Sequence, residues 1–147
     1  MQELVDDRYR VLGFLGAGGM ADVYLVHDGL LDRDVALKVL RRPYAEDEDF
    51  VERFRREAQH TAALSHPHIV SFYGRGETED GTHYMAMEYV PGGSLMARIS
   101  QEGSLGPGTA ATVALQVADA LRFAHQRGLV HRDIKPHNVL LCEAGDA

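Results

Sequence analysis

The sequence predicts an α+β fold in which most strands precede most helices. Five short runs before residue 90 have the composition of strands, one amphipathic helix interrupts them, and a long helix follows. Of the 147 residues, 45% are hydrophobic and 25% are charged, which is ordinary for a globular domain. A chain of this size and composition can fold as one domain.

Charge and cysteine content argue against several classes of protein. The formal net charge of −7 argues against a general nucleic-acid or anionic-membrane surface, so we predict no nucleic-acid partner and expect any nucleotide to need a local site. No apolar run approaches the ~18 residues of a membrane span, and the acidic start lacks the apolar core of a signal peptide. Cys142 is the single cysteine, which excludes an internal disulfide, and we expect a cytoplasmic chain.

The first two predicted strands, Tyr9 to Leu15 and Val23 to Val26, flank a glycine-rich turn. Its sequence, residues 16–22, is Gly-Ala-Gly-Gly-Met-Ala-Asp. Glycines let backbone N–H groups approach phosphate oxygens closely. Taken alone, three glycines in a turn more often mark an ordinary flexible hairpin. A Rossmann loop is excluded because that motif opens a helix, whereas this chain continues as a strand.

The third predicted strand covers residues 34–40. With a period of two, Ala36, Lys38 and Leu40 face one way and Val35, Leu37 and Val39 face the other. A small residue beside a lysine leaves room for a flat base whose phosphates reach the ammonium group. The alternative is a surface lysine whose stem covers apolar neighbours.

An amphipathic helix is predicted from about Asp47 to Leu64. Its acidic start suits the positive end of the helix dipole. Glu57 falls on the apolar face, where a carboxylate requires a cation. Lys38 is the main candidate, and pairing with Arg53 or Arg56 on the helix surface is the alternative. The other residues of the predicted face are Phe50, Phe54, Ala58 and Thr61.

The fourth and fifth strands are predicted at Ile69 to Tyr73 and His83 to Tyr89, with a turn-rich segment at 74–81. A Pro-Gly-Gly sequence at 91–93 then marks a connector between two parts of the chain. Two helices follow.

These helices are predicted at Ser94 to Gln101 and Thr109 to Arg127, with Gly128 as a stop signal. The second helix has aliphatic residues at core spacing, and no cofactor is implied by them. They are Val113, Val117, Ala120, Leu121 and Ala124.

The segment from His131 to Asn138 combines three groups suited to phosphoryl transfer. Asp133 can accept a proton, Lys135 supplies a cation and Asn138 supplies a neutral metal ligand. The apolar runs 129–130 and 139–141 can pair as strands and hold these groups rigidly. The alternative is a polar turn in which Asp133 caps the backbone and Lys135 is solvated.

Three of these segments resemble the motifs of protein kinases. The glycine turn resembles G-x-G-x-x-G-x-V, with Gly16, Gly18 and Val23 in place and Ala21 at the third glycine. Val-Ala-Leu-Lys, ending at Lys38, resembles the V-A-I-K strand, and the third segment resembles the catalytic loop H-R-D-L-x-x-x-N.

Further details resemble one branch of this family. A lysine two residues after the catalytic-loop aspartate, here Lys135 after Asp133, resembles the pattern of serine/threonine kinases rather than that of tyrosine kinases. The combination of Gly-Gly-Met with Phe-Arg-Arg-Glu-Ala-Gln at 54–59 resembles bacterial serine/threonine kinases of the eukaryotic type.

The resemblance implies a protein-kinase-like α+β architecture for residues 9–147, after an N-terminal lead at 1–8. It implies a small antiparallel five-stranded lobe with one regulatory helix at 9–88 and a hinge at 89–93. Residues 94–147 would begin the helical large lobe and extend through the catalytic loop.

It also implies ATP and Mg²⁺ as cofactors and a protein with serine or threonine as substrate. Asp133 would accept the hydroxyl proton, Lys135 would steady the transferred phosphoryl group, Asn138 would bind magnesium, and Lys38 would hold the α- and β-phosphates, paired with Glu57. Backbone groups of Glu88 and Val90 would read the adenine edge. The residues implied to bind ATP are Leu15, Gly16, Ala17, Gly18, Gly19, Val23, Ala36, Lys38, Glu57, Met87, Glu88, Val90 and Leu140.

The sequence ends at Ala147 before any Asp-Phe-Gly motif. One hypothesis is therefore the N-terminal part of a serine/threonine kinase, from an incomplete or truncated gene, that phosphorylates little or nothing by itself. The other is a short product that acts as a non-catalytic module for binding a nucleotide or a partner.

Overall fold

The computed structural model describes residues 4–130 and 134–142 of the chain. The chain divides into two compact units, Met1–Ala63 with Ser71–Tyr89 and Leu64–Val70 with Val90–Ala147. The first unit contains the sheet and the second contains the longest helix. The predicted α+β composition is therefore confirmed.

The first unit is built on one antiparallel sheet of six strands. Five of them correspond to the predicted strands, and a two-residue strand at the edge was not predicted. The strands are β1 (Leu4–Val5), β2 (Tyr9–Ala17), β3 (Ala21–Asp28), β4 (Arg33–Leu40), β5 (Phe72–Glu77) and β6 (His83–Glu88), in the spatial order β1-β2-β3-β4-β6-β5.

The two faces of the sheet bury different clusters, as the alternation along β4 predicts. Val35 and Leu37 are buried on one face in a cluster completed by Tyr9, Val26, Tyr84 and Ala86. Leu40 is buried on the other face with Ala21 and Met85. Ala36 and Lys38 share this second face because residues two apart along a strand point the same way.

Two helices follow β4, namely α1 (Arg42–Ala45) and α2 (Glu48–Ala62). The Asp47 carboxylate accepts a hydrogen bond from the Asp49 amide at 2.9 Å and so caps the start of α2. The buried residues of α2 pack against the second face of the sheet. They are Val51, Phe54 and Ala58. The prediction missed Val51, and it placed Phe50 and Thr61 in a core that they enter only partly.

The predicted position of the fourth strand was wrong at both ends. The observed strand β5 starts three residues later than predicted and continues through Gly74 and Gly76, which the sequence analysis placed in a turn. A Cβ atom at Gly76 would overlap the ring of Tyr84, which is 6% exposed, so a larger residue there would force this buried ring to move. Glycine in a strand can thus mark a close approach rather than a turn.

The second unit contains α3 (Leu95–Glu102), α4 (Pro107–Gln126) and a 3₁₀ turn at Pro136–Asn138. Its buried cluster consists of Leu95, Val113 and Leu141. Of the predicted core positions of α4, Val113 and Ala120 are buried and the other three are half-buried. No helix in the described ranges is long and apolar enough to span a membrane.

Gly128 ends α4 as predicted. Its φ angle is +77°, and the Leu129 amide donates to the Ala124 carbonyl at 3.0 Å, which satisfies a carbonyl of the last turn. The predicted strands at 129–130 and 139–141 were wrong. Within the described residues, the two segments contribute a single isolated bridge, between Leu140 and Ser94. Two or three apolar residues are too short a run to specify a strand.

A buried carboxylate fixes the turn between β3 and β4. Asp28 is 1% exposed and accepts two hydrogen bonds from Arg8, at 2.9 and 2.8 Å. The amides of Leu30 and Leu31 also donate to it. The Arg8 hydrogen bonds, followed by these backbone donors, lower the pKa of Asp28 to about 2.

Replacing Asp28 with asparagine should lower the free energy of unfolding near pH 7 by about 1.5–3 kcal/mol, because charge-assisted hydrogen bonds are lost. Since the folded pKa of about 2 lies below the unfolded value of about 4, the carboxylate stabilises the fold above pH ~4 and loses this effect as the pH falls towards 2. Urea unfolding of both proteins between pH 7 and 2 measures the difference. If the difference in unfolding free energy between the two proteins stayed constant from pH 7 to 2, Asp28 would not stabilise the fold as a carboxylate with a lowered pKa.

Candidate functional site

The glycine-rich hairpin between β2 and β3 is tightly closed. The Gly18 amide donates to the Ala21 carbonyl at 2.8 Å, and a Cβ atom at Gly18 would lie 3.3 Å from the same oxygen. At Gly16 and Gly19 a Cβ atom would meet nothing within 4 Å. The packing of the chain therefore explains the glycine at 18 and leaves open space beside the other two.

Two amides at the tip of this hairpin have no acceptor within the described part of the chain. They are the N–H groups of Gly19 and Met20, which lie outside both strands. Unpaired backbone donors need water or a ligand. Successive N–H groups in a turn form a concave surface that binds anions.

Ala21, which departs from the glycine of the family motif, has a structural role. It is 3% exposed and packs with Leu40, Phe54 and Ala58. Its methyl group therefore joins the beginning of β3 to α2. A glycine at this position would remove that contact.

Strand register brings the hairpin and the predicted lysine into one row. Gly16 is opposite Val23, and Val23 is opposite Lys38, so the three residues cross β2, β3 and β4 side by side. With strands about 4.8 Å apart, the backbone of Gly16 lies about 10 Å from that of Lys38. Directly opposite residues share a face of the sheet, so the glycine turn and the ammonium group are neighbours on one surface.

Lys38 forms the ion pair with Glu57 that the sequence predicted. Its Nζ lies 2.5 Å from Glu57 Oε1, with the side chains 25% and 48% exposed, respectively. The alternative partner Arg56 instead pairs with Glu52 at 3.6 Å. A pair this exposed contributes only about 0–1 kcal/mol to stability. Its main effect is to fix the position of the ammonium group.

Some of the other residues predicted to bind ATP are gathered on the same face. Ala36 is buried opposite Met87, and Val23 lies on this face through its register with Lys38. Leu15 lies beside an irregularity in the β2–β3 pairing and is 44% exposed. Ala17, paired with Asp22, is the last residue of β2.

Glu88 is held at the end of β6 by Ser71. The Ser71 amide donates to Glu88 Oε1 at 3.1 Å, and the Glu88 amide donates to the Ser71 carbonyl at 2.9 Å. Both contacts lie within the first unit. This pairing fixes the end of the strand whose backbone the sequence analysis assigned to adenine recognition.

The remaining predicted site residues belong to the second unit. Lys135 precedes the 3₁₀ turn and Asn138 ends it, and the Asn138 amide donates to the Lys135 carbonyl at 2.9 Å. Val90 is half-buried and Leu140 is 38% exposed. Asp133, the predicted proton acceptor, lies outside the described residues.

The described residues offer a limited donor set for a metal ion. They contain no cluster of three or more histidine, cysteine, aspartate or glutamate side chains that could hold one. Asn138 can supply one amide oxygen. That fits Mg²⁺, which usually takes one or two protein ligands and completes its shell with substrate phosphates and water.

Arg41, which was not predicted as a site residue, contacts the glycine hairpin directly. Its guanidinium donates to Asp22 Oδ1 and to the Gly18 carbonyl, both at 2.9 Å, and also to the Gly19 carbonyl. No motif includes this arginine. Its position could have indicated the contact, because Arg41 directly follows Leu40, and Leu40 pairs with Ala21 at the end of the hairpin.

This fold is that of a protein kinase domain. The sequence pattern of the protein kinase domain matches residues 9–147, and the chain belongs to this family. The predicted kinase-like fold and the predicted resemblance to bacterial serine/threonine kinases are confirmed.

Named relatives agree with this assignment. The chain is 49% identical over 142 residues to serine/threonine-protein kinase PrkC of Bacillus subtilis (strain 168), an alignment that covers 97% of the chain and 22% of that protein. It is 46% identical to serine/threonine-protein kinase PknB of Mycobacterium tuberculosis (strain H37Rv), covering 93% of the chain and 22% of that protein. The chain thus spans about a fifth of the length of these relatives.

A solved structure shows the same likeness. The crystal structure of the PknI kinase domain from M. tuberculosis matches with a TM-score of 0.75 and 40% identity, over 90% of this chain and 53% of that one.

Proposed function

We propose that the chain binds ATP with Mg²⁺ and takes part in transferring the γ-phosphoryl group to a serine or threonine hydroxyl of a protein. The observation that carries this proposal is the row Gly16–Val23–Lys38, which ends at the ion pair with Glu57. Because ATP is the proposed co-substrate, we also propose that the chain acts in the cytoplasm.

The first unit has the chemistry that a nucleotide requires. The amides of Gly19 and Met20 can donate to phosphate oxygens, and Lys38 adds a positive charge on the same face. The small, buried Ala36 beside Lys38 leaves room for a flat base. These features support a site in which a base lies on an apolar surface and its phosphates lie beside the hairpin amides and Lys38.

In this proposal the division of the chain follows the family. The first unit corresponds to the small lobe, residues 89–93 to the hinge, and 94–147 to the start of the large lobe. The segment 64–70, which the sequence analysis included in the small lobe, belongs to the second compact unit.

Roles in the second unit rest on family membership. Asp133 is proposed to accept or orient the hydroxyl proton, Lys135 to stabilise charge on the transferred phosphoryl group, and Asn138 to supply an oxygen ligand for Mg²⁺. Bound Mg²⁺ would neutralise charge on the phosphates. Phosphoryl transfer depends mainly on such positioning and charge stabilisation.

Two measurements on the 147-residue chain test the proposal. Calorimetric titration with MgATP measures binding, and transfer of labelled phosphate to a serine/threonine peptide library measures activity, with Asp133→Asn as the control. Binding together with transfer that Asp133→Asn abolishes would support a kinase. Binding without transfer is the result expected both of a truncated kinase and of a nucleotide-binding module, and the absence of binding would contradict the proposal.

A further inference from the structure

Arg41 lies next to the glycine hairpin and contacts four of its residues. Its side chain is 32% exposed, and Asp22, which pairs with it, is 23% exposed. Two of its bonds go to successive backbone carbonyls, those of Gly18 and Gly19. Its own amide donates to the Met20 carbonyl at 2.9 Å. One residue therefore holds three consecutive carbonyls of the turn.

These contacts determine where the amides of the turn point. In a trans peptide the C=O and the following N–H point in opposite directions, and the described residues contain no cis peptide. Because the Gly18 and Gly19 carbonyls face the guanidinium of Arg41, the amides of Gly19 and Met20 face away from it. These are the two amides that have no acceptor within the described chain.

The guanidinium is itself fixed by its surroundings. Asp22 binds one terminal nitrogen, the carbonyls bind the other, and the group lies 5.9 Å from the ring centroid of Tyr44. An arginine used in this way presents a planar fork of donors to several acceptors at once. A lysine at this position could not satisfy Asp22 and both carbonyls in the same geometry.

We infer that Arg41 is a positioning residue for phosphate binding. It draws the carbonyls of the glycine turn to one side so that the amides of Gly19 and Met20 are available on the other side for the phosphates of a nucleotide. This inference rests on the proposed function for the choice of ligand, whereas the effect of Arg41 on the turn can be measured without any ligand.

The test compares ATP with adenosine, which has no phosphate groups. Arg41→Met keeps a long side chain without the donors, and Arg42→Met is the matched control because Arg42 binds Asp80 instead. We expect Arg41→Met to weaken MgATP binding about 10-fold, the effect of losing one or two hydrogen bonds to phosphate. Adenosine binding should change less than about 2-fold. Arg41→Lys should restore part of the loss, and Arg42→Met should resemble the wild type.

A purely structural role of Arg41 would not give this pattern, because a damaged fold would weaken the binding of ATP and of adenosine to the same extent. If Arg41→Met lost affinity equally for ATP and adenosine, or lost affinity for neither, the inference would be wrong. ATP binding by the wild type, and with it the proposed function, would be unaffected by that result.

A second measurement keeps the inference testable if the wild type binds no ATP, in which case the proposed function fails. In the nucleotide-free chain, amide resonances of residues 18–20 should shift or broaden in Arg41→Met and remain unchanged in Arg42→Met. Unchanged resonances in Arg41→Met would show that Arg41 does not hold the turn.

Discussion

Replacing Lys38 with methionine should weaken MgATP binding by roughly 10- to 100-fold, because a charge-assisted hydrogen bond contributes about 1.5–3 kcal/mol. The free energy of unfolding should change by less than about 1 kcal/mol, since the Lys38–Glu57 pair is partly exposed. Calorimetric titration measures the first quantity and urea unfolding the second. Separating the two effects is what distinguishes a ligand-binding lysine from a structural one.

The neighbouring pair of Arg56 and Glu52 provides a matched control. It joins a basic and an acidic side chain one turn apart on α2, at 3.6 Å, and both are more than half exposed. Arg56→Met should therefore leave MgATP binding unchanged. If it reduced binding as strongly as Lys38→Met, or if Lys38→Met had no effect, the nucleotide would not be bound at Lys38.

Replacing Gly92 with alanine should destabilise the second unit by about 3 kcal/mol or more. The added Cβ atom would lie 2.1 Å from the Leu141 carbonyl oxygen, a backbone atom that cannot move without displacing its neighbours. The Leu141 amide also donates to the Gly93 carbonyl at 2.8 Å, so the turn and this segment are held together. Urea unfolding followed by helical circular dichroism, to which α4 contributes as the longest of the described helices, measures the loss.

Gly108 on α4 is the control for this substitution. A Cβ atom there meets nothing within 4 Å, so Gly108→Ala should be neutral or should stabilise the helix by up to about 1 kcal/mol. If Gly92→Ala unfolded at the same urea concentration as the wild type, the close approach to Leu141 would be incorrect.

Much of the first unit could be predicted because its sequence signals are local and repeated. The alternation along β4 identified which side chains share a face with Lys38, and the spacing on α2 placed Glu57 beside its buried residues. Pairing of Lys38 with Glu57 then followed from the cost of an unpaired carboxylate on an inward face. Glu57 is in fact half exposed, so the conclusion was right although the reason overstated its burial.

Other features depend on contacts between distant residues. Gly76 could not be assigned to a strand without knowing that the ring of Tyr84 covers it, and Gly92 could not be explained without Leu141. The contacts of Arg41 likewise join residues about 20 apart in the chain, and a surface arginine has no periodic signal. Tertiary proximity, rather than local propensity, decides such positions.

The most direct test uses an ATP derivative that carries an acyl group on its terminal phosphate. A lysine amine beside the phosphates attacks the acyl carbonyl, the acyl–phosphate bond breaks, and ATP leaves. Lys38 and Lys135 are the only two lysines in the chain, so mass spectrometry of proteolytic peptides can assign the label unambiguously. We predict acylation of Lys38 that excess ATP prevents. Label confined to the N-terminal amine, or acylation of Lys38 that ATP does not reduce, would contradict nucleotide binding at this site.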